Sequence, residues 1–309
     1  MRNHLLFMLL PLLFAQCGRN PYASIEQHLT PDTVITTLSD SSFFSSTIAS
    51  IRCDDAGLYL TDFGTHSLIA LDPRLRLTAR ISRHGEGPKE FIGLTDFHRE
   101  DSLFYILDDA AHAIKSVSIR NHYHQTIRIP SKVHVTPWNR FGYRDALFYL
   151  PTFGDTLVSV VDKSGQLKAK FGINRDGKKN LTGRKVLCND AGVWCVSTAT
   201  ALIEHYSYQG QLLKQIDYSD IPFVRTMCDR VANTDKSFVL DAYLDGDNLY
   251  LLIHKRVICF SPNRLGAMQV KAILHLPQEG FYRHLCAYRH TLFCFNTKNN
   301  AVERYSLNL

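Results

Sequence analysis

The sequence predicts an all-β chain folded as a six-bladed β-propeller whose last blade is closed by an N-terminal strand. Three observations lead there. An aliphatic residue followed by aromatic and further apolar residues recurs six times. Successive instances start 45, 44, 46, 56 and 43 residues apart. Between them lie short strand-like runs and turns, with no convincing helical periodicity after the first twenty residues.

The six instances begin at Leu58, Leu103, Leu147, Val193, Leu249 and Leu292, each with an aromatic residue in second place. Turn formers precede most of them, such as Asp54-Asp55-Ala56-Gly57 and Asp245-Gly246-Asp247-Asn248. A further strand, a tight turn and another strand follow, as in Leu157–Val161, Asp162–Gly165 and Gln166–Phe171. A four-stranded unit of this size cannot bury both faces alone, whereas units stacked around an axis can. The anchor strands are therefore expected in the middle of each blade, with the aromatics filling the gaps between neighbours. The last module has room for only two strands after its turn. Asp32–Leu38 is a lone β-branched, alternating segment and is expected to complete that blade, removing an open edge.

Composition sets the outer bounds. The chain has 309 residues, 45% hydrophobic and 21% charged, which is globular and not disordered. Its single short apolar stretch excludes a polytopic membrane protein. Met1-Arg2-Asn3-His4 followed by the apolar run Leu5–Phe14 has the form of a secretory signal, too short for a permanent span. Phe14-Ala15-Gln16-Cys17-Gly18 then resembles a bacterial lipobox, with Cys17 as the lipid attachment site. The expected organisation is residues 1–16 signal peptide, 17–32 lipidated cysteine and tether, and 33–309 propeller. A diacylglycerol plus an amide-linked chain satisfies the two-signal requirement for stable anchoring. Gly18-Arg19-Asn20 lacks the acidic pair that directs many Bacteroidetes lipoproteins outward, so the expected location is an outer-membrane lipoprotein facing the periplasm.

The net charge of +6 is modest. Its densest basic cluster, Arg175, Lys178, Lys179, Arg184 and Lys185, has no interleaved aromatics and reads as a solvated loop. With export, this argues against a nucleic-acid partner. Eight cysteines are present without a C-x-x-C pair, and Cys195, Cys259 and Cys294 sit in apolar runs as small hydrophobes.

Arg83-His84-Gly85-Glu86-Gly87-Pro88-Lys89-Glu90-Phe91 resembles the G-x-G-P-G-E-F signature of the six-bladed propeller lipoproteins of Bacteroidetes, related to TolB-like and NHL-like propellers. Asp54–Asp62 resembles an NHL-type strand start. The resemblance runs from about Thr33 to Leu309 and implies the same fold, with no catalytic residues to carry over. In the signature loop, Gly85 and Gly87 are expected to permit positive φ, Glu90 to cap backbone amides and Phe91 to pack beneath.

Sites of chemistry are sparse. No nucleophile elbow, zinc-protease helix, P-loop or calcium-loop spacing occurs, so no catalytic or metal residue is assigned. His122 and His124 with Asp108 and Asp109 form a weak metal-like grouping that reads as surface. The long spacing before Leu249 marks an insertion between Asp217 and Asp241. There Phe223, Arg225, Met227 and Arg230 have the residue types of a contact surface and are the candidate partner-binding residues. The expected function is a lipid-anchored, non-enzymatic binding or interaction module at the cell envelope, for an envelope protein or a small ligand. The other reading is a lactonase-like metal-dependent hydrolase or lyase in the central channel. No cofactor is assigned.

Overall fold

The computed structural model describes residues 22–87, 90–120, 123–173, 183–232, 234 and 236–309. Residues 1–16, read from the sequence as a signal peptide, and Cys17 lie outside the described residues. The chain begins with a 3-10 turn (Ala23–Ile25), β1 (Glu26–His28) and β2 (Thr33–Ile35). Six small sheets then follow one another. Blade 1 is β3 (Ile48–Asp54), β4 (Gly57–Asp62), β5 (Ser67–Leu71) and β6 (Leu77–Ser82). Blade 2 is β7 (Leu94–Glu100), β8 (Leu103–Asp108), β9 (Ala113–Ser118) and β10 (Tyr123–Arg128). Blade 3 is β11 (Gly142–Arg144), β12 (Leu147–Pro151), β13 (Thr156–Asp162) and β14 (Leu167–Ile173). Blade 4 is β15 (Arg184–Asn189), β16 (Gly192–Ser197), β17 (Leu202–Tyr206) and β18 (Leu212–Asp217). Helix α1 (Pro222–Val231) precedes blade 5, which is β19 (Val239–Asp245), β20 (Asn248–Ile253), β21 (Arg256–Pro262) and β22 (Met268–His275). Blade 6 is β23 (Tyr282–Tyr288), β24 (Thr291–Asn296) and β25 (Ala301–Ser306), completed by β2.

In every blade a two-residue turn joins the first two strands, at 55–56, 101–102, 145–146, 190–191, 246–247 and 289–290. Such turns match the strand twist when their residues take positive φ, as Asp101, Asp145, Ala146, Gly246 and Arg289 do. Gly57 follows the first turn at φ +151°, and a Cβ there would lie 1.9 Å from the Leu71 carbonyl oxygen. The constant turn length fixes the register across blades. It makes Phe104 and Phe148 the counterparts of Leu58, one residue later than the sequence alignment placed them. In this register the next residue is Tyr59, Tyr105, Tyr149, Trp194, Tyr250 or Phe293, aromatic in all six blades.

Those aromatics belong to six separate apolar clusters, one per junction between neighbouring blades. Tyr59 meets Phe104 edge-on at 5.3 Å between blades 1 and 2. Tyr105 packs on Phe148 between blades 2 and 3, and Tyr149 on Val193 and Tyr206 between blades 3 and 4. Trp194, Tyr250 and Phe293 continue the series around the ring. Burying one such side chain contributes on the order of 2–3 kcal/mol, so the junctions hold the ring together. Cys195, Cys259 and Cys294 are fully buried among them, with free thiols.

The ring closes as the lone N-terminal segment predicts. β2 pairs antiparallel with β25, Thr33 opposite Arg304 and Ile35 opposite Val302. Asp32 adds a 2.9 Å ion pair to Arg304 and accepts a 2.6 Å hydrogen bond from Ser306. Residues 26–28, inside the segment read as a tether, also join the sheet system. As β1 they lie parallel to β22 as a fifth strand of blade 5.

Helix α1 corrects the expectation that no helix follows the signal. Pro222 suits the first helical position because it needs no amide donor there. Ile221, Val224, Cys228 and Val231 recur at helical spacing, and all pack into the core between blades 4 and 5. Arg230 in the last turn complements the helix dipole. Four apolar positions in eleven residues are too short a run to stand out by periodicity.

Candidate functional site

In each blade the meander puts the first-to-second and third-to-fourth turns at one end. The second-to-third turns and the blade-to-blade connections lie at the other. Helix α1, the signature loop and all the long connections therefore share one face of the ring. Two candidate sites emerge: a polar ring in the central channel, and a pocket under α1 on the loop face.

The channel ring takes one residue from each blade: Ser50, Asp96, Arg140, Lys185, Asp241 and His284. They sit at matching registers near the start of the innermost strands, spaced 46, 44, 45, 56 and 43 residues apart. All except His284 are almost completely buried. Arg140 crosses the channel to Asp241, with Nε and Nη2 each 2.6 Å from a carboxylate oxygen. Its Nη2 also donates to the carbonyls of Ile51 and Leu285, so one guanidinium ties blades 1, 3, 5 and 6. Asp96 accepts from Ser50 Oγ at 2.6 Å, from Arg52 Nη2 at 2.7 Å and from the Phe141 amide at 3.0 Å. Lys185 Nζ donates to the Trp138 carbonyl at 2.9 Å.

Electrostatics follow from this packing. Burial raises the Asp96 carboxyl, but adjacent Arg52 and then Arg140 outweigh it and hold the pKa below the usual range. Asp241 is lowered in the same way, burial being overcome by Arg140. Burial lowers Lys185, and the Arg140 charge adds to this against the pull of Asp241 and Asp96. His284 is lowered by burial with help from Arg140 and Lys185. His98, whose ring lies 4.8 Å from that of Tyr143 at a tilt of 40°, falls to about 3 through burial and the Arg52 charge. Both channel carboxylates are thus engaged by arginines. The described residues contain no cluster of three or more His, Cys, Asp or Glu side chains suited to a metal ion.

The pocket, of about 400 Å³, lies beneath α1 against blades 5 and 6. Met227, Val231, Phe238, Leu240, Phe281 and Tyr282 supply apolar walls. Arg230, Lys236, His254 and Lys255 supply the polar ones, and no carboxylate lines it among the described residues. Burial keeps the His254 pKa low, reinforced by the charges of Lys255, Arg256 and Arg230. Lys255 is anchored by the Gln278 carbonyl. Phe281 remains half-exposed at the mouth.

The four candidate partner-binding residues all lie on α1 and diverge. Met227 and Arg230 line the pocket. Phe223 is covered by Arg256, whose guanidinium carbon sits 4.6 Å from the ring centre. Arg225 is exposed and donates to the Ser219 carbonyl at 3.3 Å. The basic cluster is not a solvated loop throughout. Arg184 and Lys185 are buried at the start of β15, an innermost strand covered on both faces there; Arg175, Lys178 and Lys179 lie outside the described residues.

The signature loop is structural. Glu90 Oε2 accepts the Gly87 amide at 3.0 Å, and Phe91 is fully buried. Gly85 takes positive φ but Gly87 does not; a Cβ on Gly87 would lie 2.9 Å from the Glu90 carboxylate. Buried Lys115 ties the loop down by donating to the Glu90 carbonyl and pairing with Asp108 at 3.0 Å. Asp108 is occupied there, at the opposite end of blade 2 from His124; His122 lies outside the described residues.

No family model and no curated protein matches the chain. Among solved structures, it is similar to a DUF4221 family member from Bacteroides vulgatus. That pair is 9% identical with a TM-score of 0.62, covering 90% of this chain and 97% of the other. It is also similar to a streptogramin B lyase, at 10% identity and a TM-score of 0.56, covering 90% and 88% of the two chains. Virginiamycin B lyase from Staphylococcus aureus gives 8% identity and a TM-score of 0.56, covering 89% and 98%. At these identities the likeness concerns the six-bladed propeller fold alone.

Proposed function

We propose that this protein is a non-enzymatic binding module, lipid-anchored at Cys17 in the cell envelope and facing the periplasm. Its ligand is an anionic amphipathic molecule held in the pocket under α1. The observation that carries the reading is the pocket lining. A wall of Phe238, Phe281, Tyr282 and Met227 accepts an apolar body, and Arg230, Lys236 and Lys255 accept an acidic head. Membership of the Bacteroidetes propeller lipoproteins is part of the same reading and rests on the sequence signature.

The anchor and the pocket are brought near one another by a contact between distant parts of the chain. The Tyr22 hydroxyl donates to Asp220, just before α1. Only residues 18–21 separate Cys17 from Tyr22, a span of at most about 18 Å. A lipid on Cys17 keeps the helix close to the bilayer, where anionic amphipaths are concentrated. A metal-dependent hydrolase or lyase would need free carboxylate, Asn or His side chains converging in the channel; Asp96 and Asp241 are each taken by an arginine, and the described residues hold no suitable group of three His, Cys, Asp or Glu.

A dansyl-labelled alkyl carboxylate and its neutral amide, titrated against the purified protein, test the ligand class. The acid is expected to bind at least tenfold more tightly, and Phe281→Ala to weaken both. Equal affinity for acid and amide would end the anionic reading. Mass spectrometry of the N-terminal peptide tests the anchor, with Cys17→Ala expected to release the protein from the membrane fraction.

A further inference from the structure

The channel ring carries more positive charge than its own carboxylates balance. Among the described residues, the carboxylates that Arg52, Arg140 and Lys185 face are Asp96 and Asp241. The neighbouring imidazoles of His98 and His284 hold no compensating negative charge. An unbalanced charge away from water is costly unless a counter-ion or a lost proton removes it.

The donors are also incompletely used. Among the described residues Arg140 Nη1 is buried with no hydrogen-bond partner, although every other N–H-bearing nitrogen of that guanidinium is engaged. Arg52 Nε is likewise buried and unpartnered. Lys185 Nζ, with three hydrogens, makes one bond among the described residues, to Trp138. The carboxylates have no such slack, since Asp96 and Asp241 each accept from several donors. A site with spare donors, a surplus cation and saturated acceptors is suited to an anion and unsuited to a metal cation.

We propose that the central channel binds one small monovalent anion of the halide class between Arg140 Nη1 and Lys185 Nζ. The anion neutralises the ring and joins blades 3 and 4 to the Arg140–Asp241 bridge. The site is separate from the pocket under α1 and does not depend on the function proposed for it.

Thermal unfolding of the purified full-length protein in sodium chloride and in sodium gluconate at equal ionic strength provides the test. Gluconate serves as the bulky, weakly coordinating control anion. The Tm is expected to be higher in chloride by about 2 °C or more. Lys185→Met removes the surplus charge and leaves the Arg140–Asp241 pair intact. It is expected to abolish the chloride response while keeping a cooperative transition in gluconate. Crystals soaked in bromide should show an anomalous peak within about 3.5 Å of Arg140 Nη1. A wild-type Tm indifferent to the anion, an undiminished response in Lys185→Met, or water alone at Nη1 under saturating bromide would each overturn the proposal.

Discussion

In the channel, Arg140 meets Asp241 with both side chains almost wholly buried. On the rim, Arg230 stands exposed beside Lys255, with no acid among the described pocket-lining residues. Both regions are basic, but their surroundings give the charge different work. Inside, a charge must be paired or it destabilises the fold, so the ring is knitted to four blades and its groups have shifted pKa values. Outside, water solvates the unpaired cation at little cost and leaves it free for a ligand. Structural charge on this propeller is therefore charge that is already paired, and the recognition surface is where pairing stops.

The largest effect expected from this contrast is at Arg140. Arg140→Met strands Asp241 and removes the donors to Ile51 and Leu285. It should cost about 3–5 kcal/mol of unfolding free energy in a denaturant titration. Arg140→Met with Asp241→Leu should recover a substantial part, because no buried charge is then left alone. A double variant as unstable as the single one would mean that the carbonyl contacts, and not the ion pair, hold the channel.

A smaller effect separates the regions by pH. His98 titrates near 3 when folded and near 6.5 when unfolded, so below about pH 6.5 the unfolded chain binds the extra proton. Its contribution is complete above pH 6.5 and is lost as the pH falls from there towards 3. His284 is shifted in the same direction. The slope from His98 approaches about 1.4 kcal/mol per pH unit in mid-window. Asp96 and Asp241 act lower, because their stabilisation is present above about pH 4 and fades only as the pH drops further. Stability curves at pH 7, 6, 5 and 4 should therefore be flatter for His98→Phe than for the wild type. Parallel curves would show that His98 is protonated in the fold.

The ring was legible in the chain once the turn length was known. Each of its six residues stands eight positions before the buried residue that opens its anchor, and all six are polar. The alignment on Leu103 and Leu147 slid two blades by one residue, which was enough to hide the column, since a one-residue slip exchanges the two faces of a strand. The closing strand was legible because Asp32–Leu38 had no other place in a six-module count. The pocket was only partly legible. Met227, Arg230 and Lys236 fall in the insertion, but Lys255 and Phe281 come from two other connections. No local pattern joins residues that only the ring's curvature brings together.

The smallest stability effect, and the sharpest test of the contrast, belongs to the rim. Arg230→Glu with Lys255→Glu reverses two charges at the pocket mouth. Arg230 is exposed and has no ion pair among the described residues, so its reversal should stay within about 0.5 kcal/mol of wild type. Lys255 gives up one contact with the Gln278 carbonyl, which adds no more than a typical hydrogen bond of about 1 kcal/mol. Binding of the alkyl carboxylate should nevertheless fall more than tenfold. Raising the salt from 0.1 to 1 M should weaken the wild type towards the variant, because charges at the mouth are screened and those in the channel are not. If the double reversal unfolds the protein as Arg140→Met does, the rim cations belong to the structure, and the division between paired and available charge fails at the place it was meant to explain.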